Sequence, residues 1–103
     1  MEIEFEKEYL QDLYEEGKTK KKKYRFQPQV IKGYKKAIDI MKNVNRIEDL
    51  FLFDNLNYEK LSGTDIESVR ANNQYRIEFR SRIEEGIKSI TICSIIELSN
   101  HYK

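Results

Sequence analysis

The 103-residue chain has one cysteine, one histidine, one proline and no tryptophan. Cys93 therefore has no partner for an intramolecular disulfide, and because it stands inside an apolar run we expect a buried free thiol. One histidine and one cysteine are too few for the nitrogen and sulfur ligands of a zinc site. The four glycines form no Gly-rich phosphate loop. We expect neither a metal nor a cofactor.

Long apolar segments are also absent. No run approaches the roughly 18 residues that a membrane span needs, and the acidic start of the chain lacks the apolar centre of a secretion signal. A free thiol suits a reducing compartment. We therefore expect a cytoplasmic protein, and the length allows one modest core, which predicts a single domain over residues 1–103.

Charge is distributed unevenly along the chain, although the net charge is only +1. Residues 1–17 carry −6, whereas residues 18–36 carry +9 and no acid. A basic block of this kind can bind several RNA phosphates in a salt-dependent manner. Its alternative is a solvated loop that balances the acidic first helix. We favour RNA binding and take as candidates Lys20, Lys21, Lys22, Lys23 and Arg25.

Helical spacing is confined to the first half of the chain. Tyr9 to Tyr14 predict a short amphipathic helix ended by Gly17, and Pro28 suits the first position of a longer helix. Asn45 and Glu48 then resemble the capping pair of a short helical segment.

Strand-like alternation dominates the second half. After an N-terminal strand at Ile3 and Phe5, we expect strands over roughly residues 65–71, 75–82 and 87–96. Helices followed by an antiparallel meander predict an α+β fold, with the N-terminal helices packed on one face of a small, mainly antiparallel β-sheet.

An Asn-rich turn joins the first two strands of this meander. A two-residue turn would draw Arg70 toward the core. A three-residue turn over 72–74, with an Asn in the left-handed conformation, places Val69 opposite Ile77 and Arg70 opposite Arg76. We favour the second register, since it leaves both arginines on the solvent face.

Two arginines directly opposite each other repel mildly, so an anion should compensate them. One candidate is a carboxylate of the chain itself, namely Glu67, Glu78 or Glu97. The other is a bound phosphate.

Two stretches of sequence resemble the HigB-like toxins of the RelE superfamily. They are Ser68 to Phe79, which contains the arginine hairpin, and the terminal residues Leu98 to Lys103. The segment Leu56 to Gly63 is also similar to the family. The resemblance implies a RelE-like fold and a toxin that cuts messenger RNA on the ribosome.

The resemblance also implies roles for single residues. Arg70 and Arg76 match the hairpin arginines of the family, and His101 falls at the end of the chain, as the functional histidine does there. Relatives often end in Asp-Tyr-His where this chain has Ser-Asn-His-Tyr, so the candidates to orient the imidazole are Glu97 and Tyr102, and Tyr102 is also a candidate to assist it. Lys60 is a candidate for a lysine that relatives carry at the position of Ser62.

The implied reaction is metal-free transesterification, in which the ribose 2′-hydroxyl attacks its own phosphate. Arginines would stabilise the phosphorane, and His101 would transfer a proton, since an imidazole titrates near cellular pH. We expect a helix-turn-helix, HigA-like antitoxin, the ribosome and mRNA as partners. Two alternatives remain: a non-cleaving, ParE-like inhibitor of DNA gyrase and a plain RNA-binding module.

Overall fold

The structure is a computed structural model in which residues 1–100 are described. Two α-helices and five strands follow one another along the chain: β1 (Glu2–Phe5), α1 (Glu8–Glu16), α2 (Pro28–Asn43), β2 (Glu59–Lys60), β3 (Glu67–Arg70), β4 (Tyr75–Glu84) and β5 (Ile90–Asn100). Short 3-10 helices lie between them at Lys22–Tyr24, Ile47–Leu52 and Asp54–Leu56.

The five strands form one sheet in the order β1-β5-β4-β3-β2. β1 runs parallel to β5, and every other pair is antiparallel. The predicted mainly antiparallel sheet is therefore confirmed. The N-terminal strand lies beside the last strand, and α1 and α2 connect it to β2 at the opposite edge of the sheet.

One face of the sheet carries the core. Both α-helices pack against this face and bury one side each, so the predicted layer order is confirmed. The core unites apolar side chains of α1, α2 and the sheet, among them Tyr9, Leu13, Tyr34, Ile38, Met41, Val69, Ile77, Phe79, Cys93 and Ile95. The opposite face of the sheet is covered by neither α-helix.

The predicted hairpin register is confirmed. Val69 pairs with Ile77, and Arg70 pairs with Arg76. The conformation of the turn differs from the prediction, because no Asn in the turn has a positive φ. Instead, the side-chain oxygen of Asn72 accepts hydrogen bonds from the backbone N–H groups of residues 74 and 75, over 2.9 and 2.8 Å. This side-chain bridge replaces the left-handed residue.

The last strand extends further than expected. Within residues 1–100 it spans Ile90–Asn100 rather than residues 87–96, and its register shifts so that Glu97 opposes Glu78 whereas Ile95 opposes Phe79. The extra residue between these pairs is a β-bulge, which breaks the alternation that sequence reasoning relies on.

Two helix boundaries lie where the sequence predicts them, whereas one predicted helix cap differs. Gly17 ends α1 in the left-handed conformation with φ 74°, and Pro28 begins α2. The predicted capping pair Asn45 and Glu48 is wrong by one residue, since the carboxylate of Asp49 accepts from the backbone N–H groups of residues 45 and 46. Within residues 1–100, no helix has both the length and the apolar character needed to cross a membrane.

Candidate functional site

Arg76 lies on the sheet face that points away from the helices, because its neighbour Ile77 is buried in the core. The arginine is only 8% exposed. Its Nε donates to the hydroxyl oxygen of Ser68 over 3.0 Å, and its Nη2 donates to the carbonyl oxygen of Asn57 over 3.3 Å. Nη2 also lies 3.4 Å from Oε2 of Glu59. These contacts fix the guanidinium group, and none of the described residues accepts a hydrogen bond from Nη1.

The carboxylate that pairs with Arg76 is Glu59 of β2, which is none of the three acids expected from the sequence. Glu67 points to the core face, where it accepts hydrogen bonds from the hydroxyl groups of Tyr58 and Ser81. This bond to Glu67 and, more strongly, burial raise the pKa of Tyr58. Glu97 instead forms an ion pair of 3.8 Å with a lysine of the loop between β1 and α1.

A small groove of about 180 Å³ surrounds Arg76 on the open face of the sheet. We call it the Arg76 groove. Glu78, beside Arg76 on the same strand face, lines it and has no cation within 4.0 Å among residues 1–100. Asn100, at the end of β5, also lines it. The groove therefore combines the fixed guanidinium of Arg76 with the carboxylates of Glu59 and Glu78, and it adjoins Asn100 at the end of β5.

Arg70 stands directly opposite Arg76 in the register but lines a different cavity. This cavity, which we call the Arg70 pocket, has a volume of about 310 Å³ and lies between α2, the Asp54–Leu56 helix and the hairpin turn. Lys36 of α2 lines it as well. The structure thus places the two hairpin arginines opposite each other in the sheet, and each residue borders a different cavity.

Lys60, the candidate for the lysine of the family, does not share the sheet face of the arginines. In the pairing of β2 with β3, Lys60 opposes Glu67, whereas Glu59 opposes Ser68. Because successive strand residues point to opposite faces, the residue on the side of Arg76 is Glu59. Lys60 lines a separate cavity together with Glu67 and Ser81.

The two candidate residues of the tail, His101 and Tyr102, lie outside the described residues. Their assigned roles stay predictions. The attachment point of the tail is described: Asn100 pairs with Tyr75 at the end of β5 and lines the Arg76 groove.

The basic block is anchored at one aromatic residue. Tyr24 stacks on the buried Tyr9 with ring centroids 3.6 Å apart and an interplanar angle of 2°. The five candidate RNA-binding cations around this anchor are exposed, and none has a carboxylate within 4.0 Å among residues 1–100. Acids of α1 nevertheless line a cavity together with the lysines that begin the block. The cations of the basic block are thus exposed for RNA binding, and the acids of α1 offset part of their positive charge.

The far half of the open sheet face carries arginines that are already neutralised. Arg80 lies 3.1 Å from Asp65, and Arg82 lies 2.9 Å from Glu4. The guanidinium of Arg82 holds the pKa of Glu4 below its ordinary value through a hydrogen bond. Among the arginines of the sheet within residues 1–100, Arg70 is therefore the one without a carboxylate within 4.0 Å.

Sequence reasoning missed the residues that hold Arg76. Glu59 belongs to a two-residue strand, which is too short to show alternation. Asn57 contributes a backbone oxygen, which no side-chain pattern reveals, although its positive φ of 44° is typical of Asn. Ser68 could have been found, because the chosen register places it on the same face as Arg70 and Arg76.

Comparison of the sequence with models of known protein families identifies the family of the chain. Residues 3–91 match the sequence model of a family described as RelE-like toxin of the type II toxin-antitoxin system HigB. The chain belongs to this toxin family. The matched range contains the hairpin arginines and the basic block and ends before His101. No curated protein and no solved structure gave a match.

Membership in this family confirms the resemblance seen in the hairpin and makes the protein a toxin of a type II toxin–antitoxin pair. Such a toxin has an antitoxin as its partner. The mixed fold, with helices on one face of a five-stranded and mostly antiparallel sheet, is compatible with the RelE-like fold.

Proposed function

We propose that this toxin is an endoribonuclease that cuts translated mRNA on the ribosome by attack of a ribose 2′-hydroxyl on the adjacent phosphate. The observation that carries the proposal is the fixed guanidinium of Arg76. Ser68, Asn57 and Glu59 hold its Nε and Nη2, so within residues 1–100 the donor that remains for a phosphate oxygen is Nη1. A preorganised donor of this kind stabilises the charge that develops on a phosphorane, typically by about 3 kcal/mol.

The reaction also requires two proton transfers, one from the 2′-hydroxyl and one to the leaving 5′-oxygen. The family resemblance implies that His101 acts as acid or base, and we assign it the second transfer, with Tyr102 assisting. A single imidazole cannot make both transfers at once. Glu78, whose carboxylate lines the Arg76 groove without a cation partner among the described residues, is our candidate for the first.

The ribosome supplies the substrate geometry in this proposal. The Arg76 groove has a volume of only about 180 Å³ and is too small to enclose more than part of one nucleotide. Orientation of the RNA must therefore come from elsewhere, and a ribosome that holds mRNA in a defined path provides it. The exposed lysines of the basic block would bind ribosomal or messenger RNA without reading sequence.

The test is cleavage of a translated mRNA by the purified toxin on ribosomes, with the cut ends mapped chemically. Attack by the 2′-hydroxyl leaves a 2′,3′-cyclic phosphate, so this end group reports the mechanism. Arg76→Gln should abolish cutting, whereas Arg82→Gln, on the same sheet face but far from the groove, should retain it. Growth arrest with intact mRNA, or inhibition of gyrase by the same preparation, would refute the proposal and favour the ParE-like alternative.

A further inference from the structure

The end of the hairpin formed by β4 and β5 extends beyond its neighbours in the sheet. β3 pairs with β4 only as far as Phe79, whereas β4 continues to Glu84 and pairs there with β5. Within residues 1–100, no strand pairs with the last residues of β4 on the side of β3. We call residues 81–84 the free edge of β4. A free strand edge is a place where another chain can add a strand to the sheet.

The backbone of the free edge points its hydrogen-bonding groups outward at two positions. The N–H of Ala71 donates to the carbonyl oxygen of Tyr75 over 2.9 Å, so Tyr75 directs its backbone groups toward β3. Every second residue of a strand directs its N–H and C=O to the same side, which gives Ser81 and Ile83 the same direction. Because β3 has no residue opposite these two, their backbone groups are open to a strand from outside the described chain.

Ile83 adds apolar surface to the free edge. Its side chain is 65% exposed, and it lies on the core face of the sheet because it alternates in step with the buried Phe79. On that face it lines a cavity of about 650 Å³ together with Ile47 and Tyr58. Of the five large apolar side chains that are exposed within residues 1–100, three lie at this end of the hairpin, namely Ile83, Ile87 and Ile90. Exposed apolar side chains that cluster in this way indicate an interaction surface.

The charges beside Ile83 make the free edge complementary to itself. If two copies of the edge lie antiparallel with Ile83 on a two-fold axis, Arg82 of each copy lies opposite Glu84 of the other. Opposite charges attract across such a pair, and the two isoleucines meet on the axis. Arg82 already lies near Glu4 and Glu84 of its own chain, but these ion pairs are exposed and therefore contribute little against the exchange.

We infer that a second copy of this chain adds to the free edge of β4 and forms a two-fold symmetric dimer. β4 of one copy then pairs with β4 of the other, so that the two sheets become continuous. The occupant is a second copy because both the apolar and the charged residues of the edge match their own antiparallel image. Arg76 lies seven residues before Ile83, or about 23 Å along the strand at about 3.3 Å per residue. The Arg76 groove of each copy therefore stays open in the dimer.

The test is the mass of the purified toxin in sedimentation equilibrium over a range of concentrations. The average mass should rise from the 12.4 kDa of one chain toward twice that value. Glu84→Arg sets two arginines opposite each other, and Arg82→Glu sets two glutamates opposite each other, so each variant alone should associate about tenfold more weakly. An equimolar mixture of the two variants should associate again, because every mixed pair joins an arginine to a glutamate.

Glu16→Arg is the matched control, since it makes the same charge reversal at an exposed position of α1 and should change the association by less than about twofold. Ile83→Lys should also weaken association, because it sets two like charges on the axis. A toxin that keeps the mass of one chain at every concentration would overturn the dimer, and so would a mixture that fails to associate. If Ile83→Lys then loses binding of the antitoxin, the free edge serves that partner instead.

Discussion

Gly33 of α2 faces the carbonyl oxygen of Ala71 so closely that a Cβ atom on Gly33 would lie 2.0 Å from that oxygen. This contact brings the long helix against the arginine hairpin. It also explains a glycine that costs about 1 kcal/mol in helix propensity relative to alanine.

Gly33→Ala should therefore destabilise the toxin by about 2 kcal/mol or more, although helix propensity alone predicts a gain. Urea unfolding of the variant measures the change. Gly86→Ala is the control, because the nearest atom to its added Cβ is 3.8 Å away. A stabilised Gly33→Ala variant would show that α2 and the hairpin are not in contact.

Arg76 and Arg70 should differ in their effect on stability. Arg76→Ala removes a buried group with two hydrogen bonds and one ion pair, and we expect a loss of about 1 to 3 kcal/mol in the free energy of unfolding. Arg70→Ala should cost less than about 1 kcal/mol. Both variants should lose growth inhibition. Full toxicity of both would remove the arginine pair from the site.

The basic block should contribute to binding of the ribosome and not to the cleavage step. Replacing Lys20, Lys21, Lys22 and Lys23 with Ser should weaken binding to ribosomes and flatten its salt dependence, because these exposed cations would no longer displace counter-ions from RNA. Sedimentation with ribosomes at several salt concentrations measures this. If the salt dependence does not change, the block only balances the acidic face of α1.

The role of His101 can be tested by a conservative substitution. His101→Gln keeps a hydrogen-bonding side chain that cannot titrate, so cleavage should fall by about 10² or more while ribosome binding stays near that of the unmodified toxin. A truncation should end after Asn100, because β5 extends to that residue. Undiminished mRNA cleavage by both variants would assign the proton transfer to other groups.

Stability should decline in alkaline solution. Burial raises the pKa of both Cys93 and Tyr9 to about 12, against unfolded values of about 8.5 and 10. Because the unfolded chain then loses these protons first, the stabilisation is complete below about pH 8.5 and is lost as pH rises toward 12. Urea unfolding at pH 8 and pH 10.5 should differ by more than about 1 kcal/mol, and Cys93→Ala should reduce the difference. A pH-independent result would show that the Cys93 thiol is exposed.

The sequence by itself determined those features that depend on neighbouring residues. Alternation and turn length led to the register of Arg70 with Arg76, and the positions of Gly17 and Pro28 marked helix boundaries. Periodicity also separated the helical half of the chain from the strand half. These predictions succeeded because backbone geometry and the burial of one face act over a few residues.

Only the tertiary structure decided how the site is held. Glu59 reaches Arg76 from a two-residue strand, Lys60 is turned to the opposite face, and Arg70 shares its pocket with Lys36. β2 has only two residues, too few to show which of its side chains faces the core. The bulge in β5 changes which residues near the end of that strand face the core. Contacts between such distant segments depend on how whole elements pack, so no local pattern in the sequence contains them.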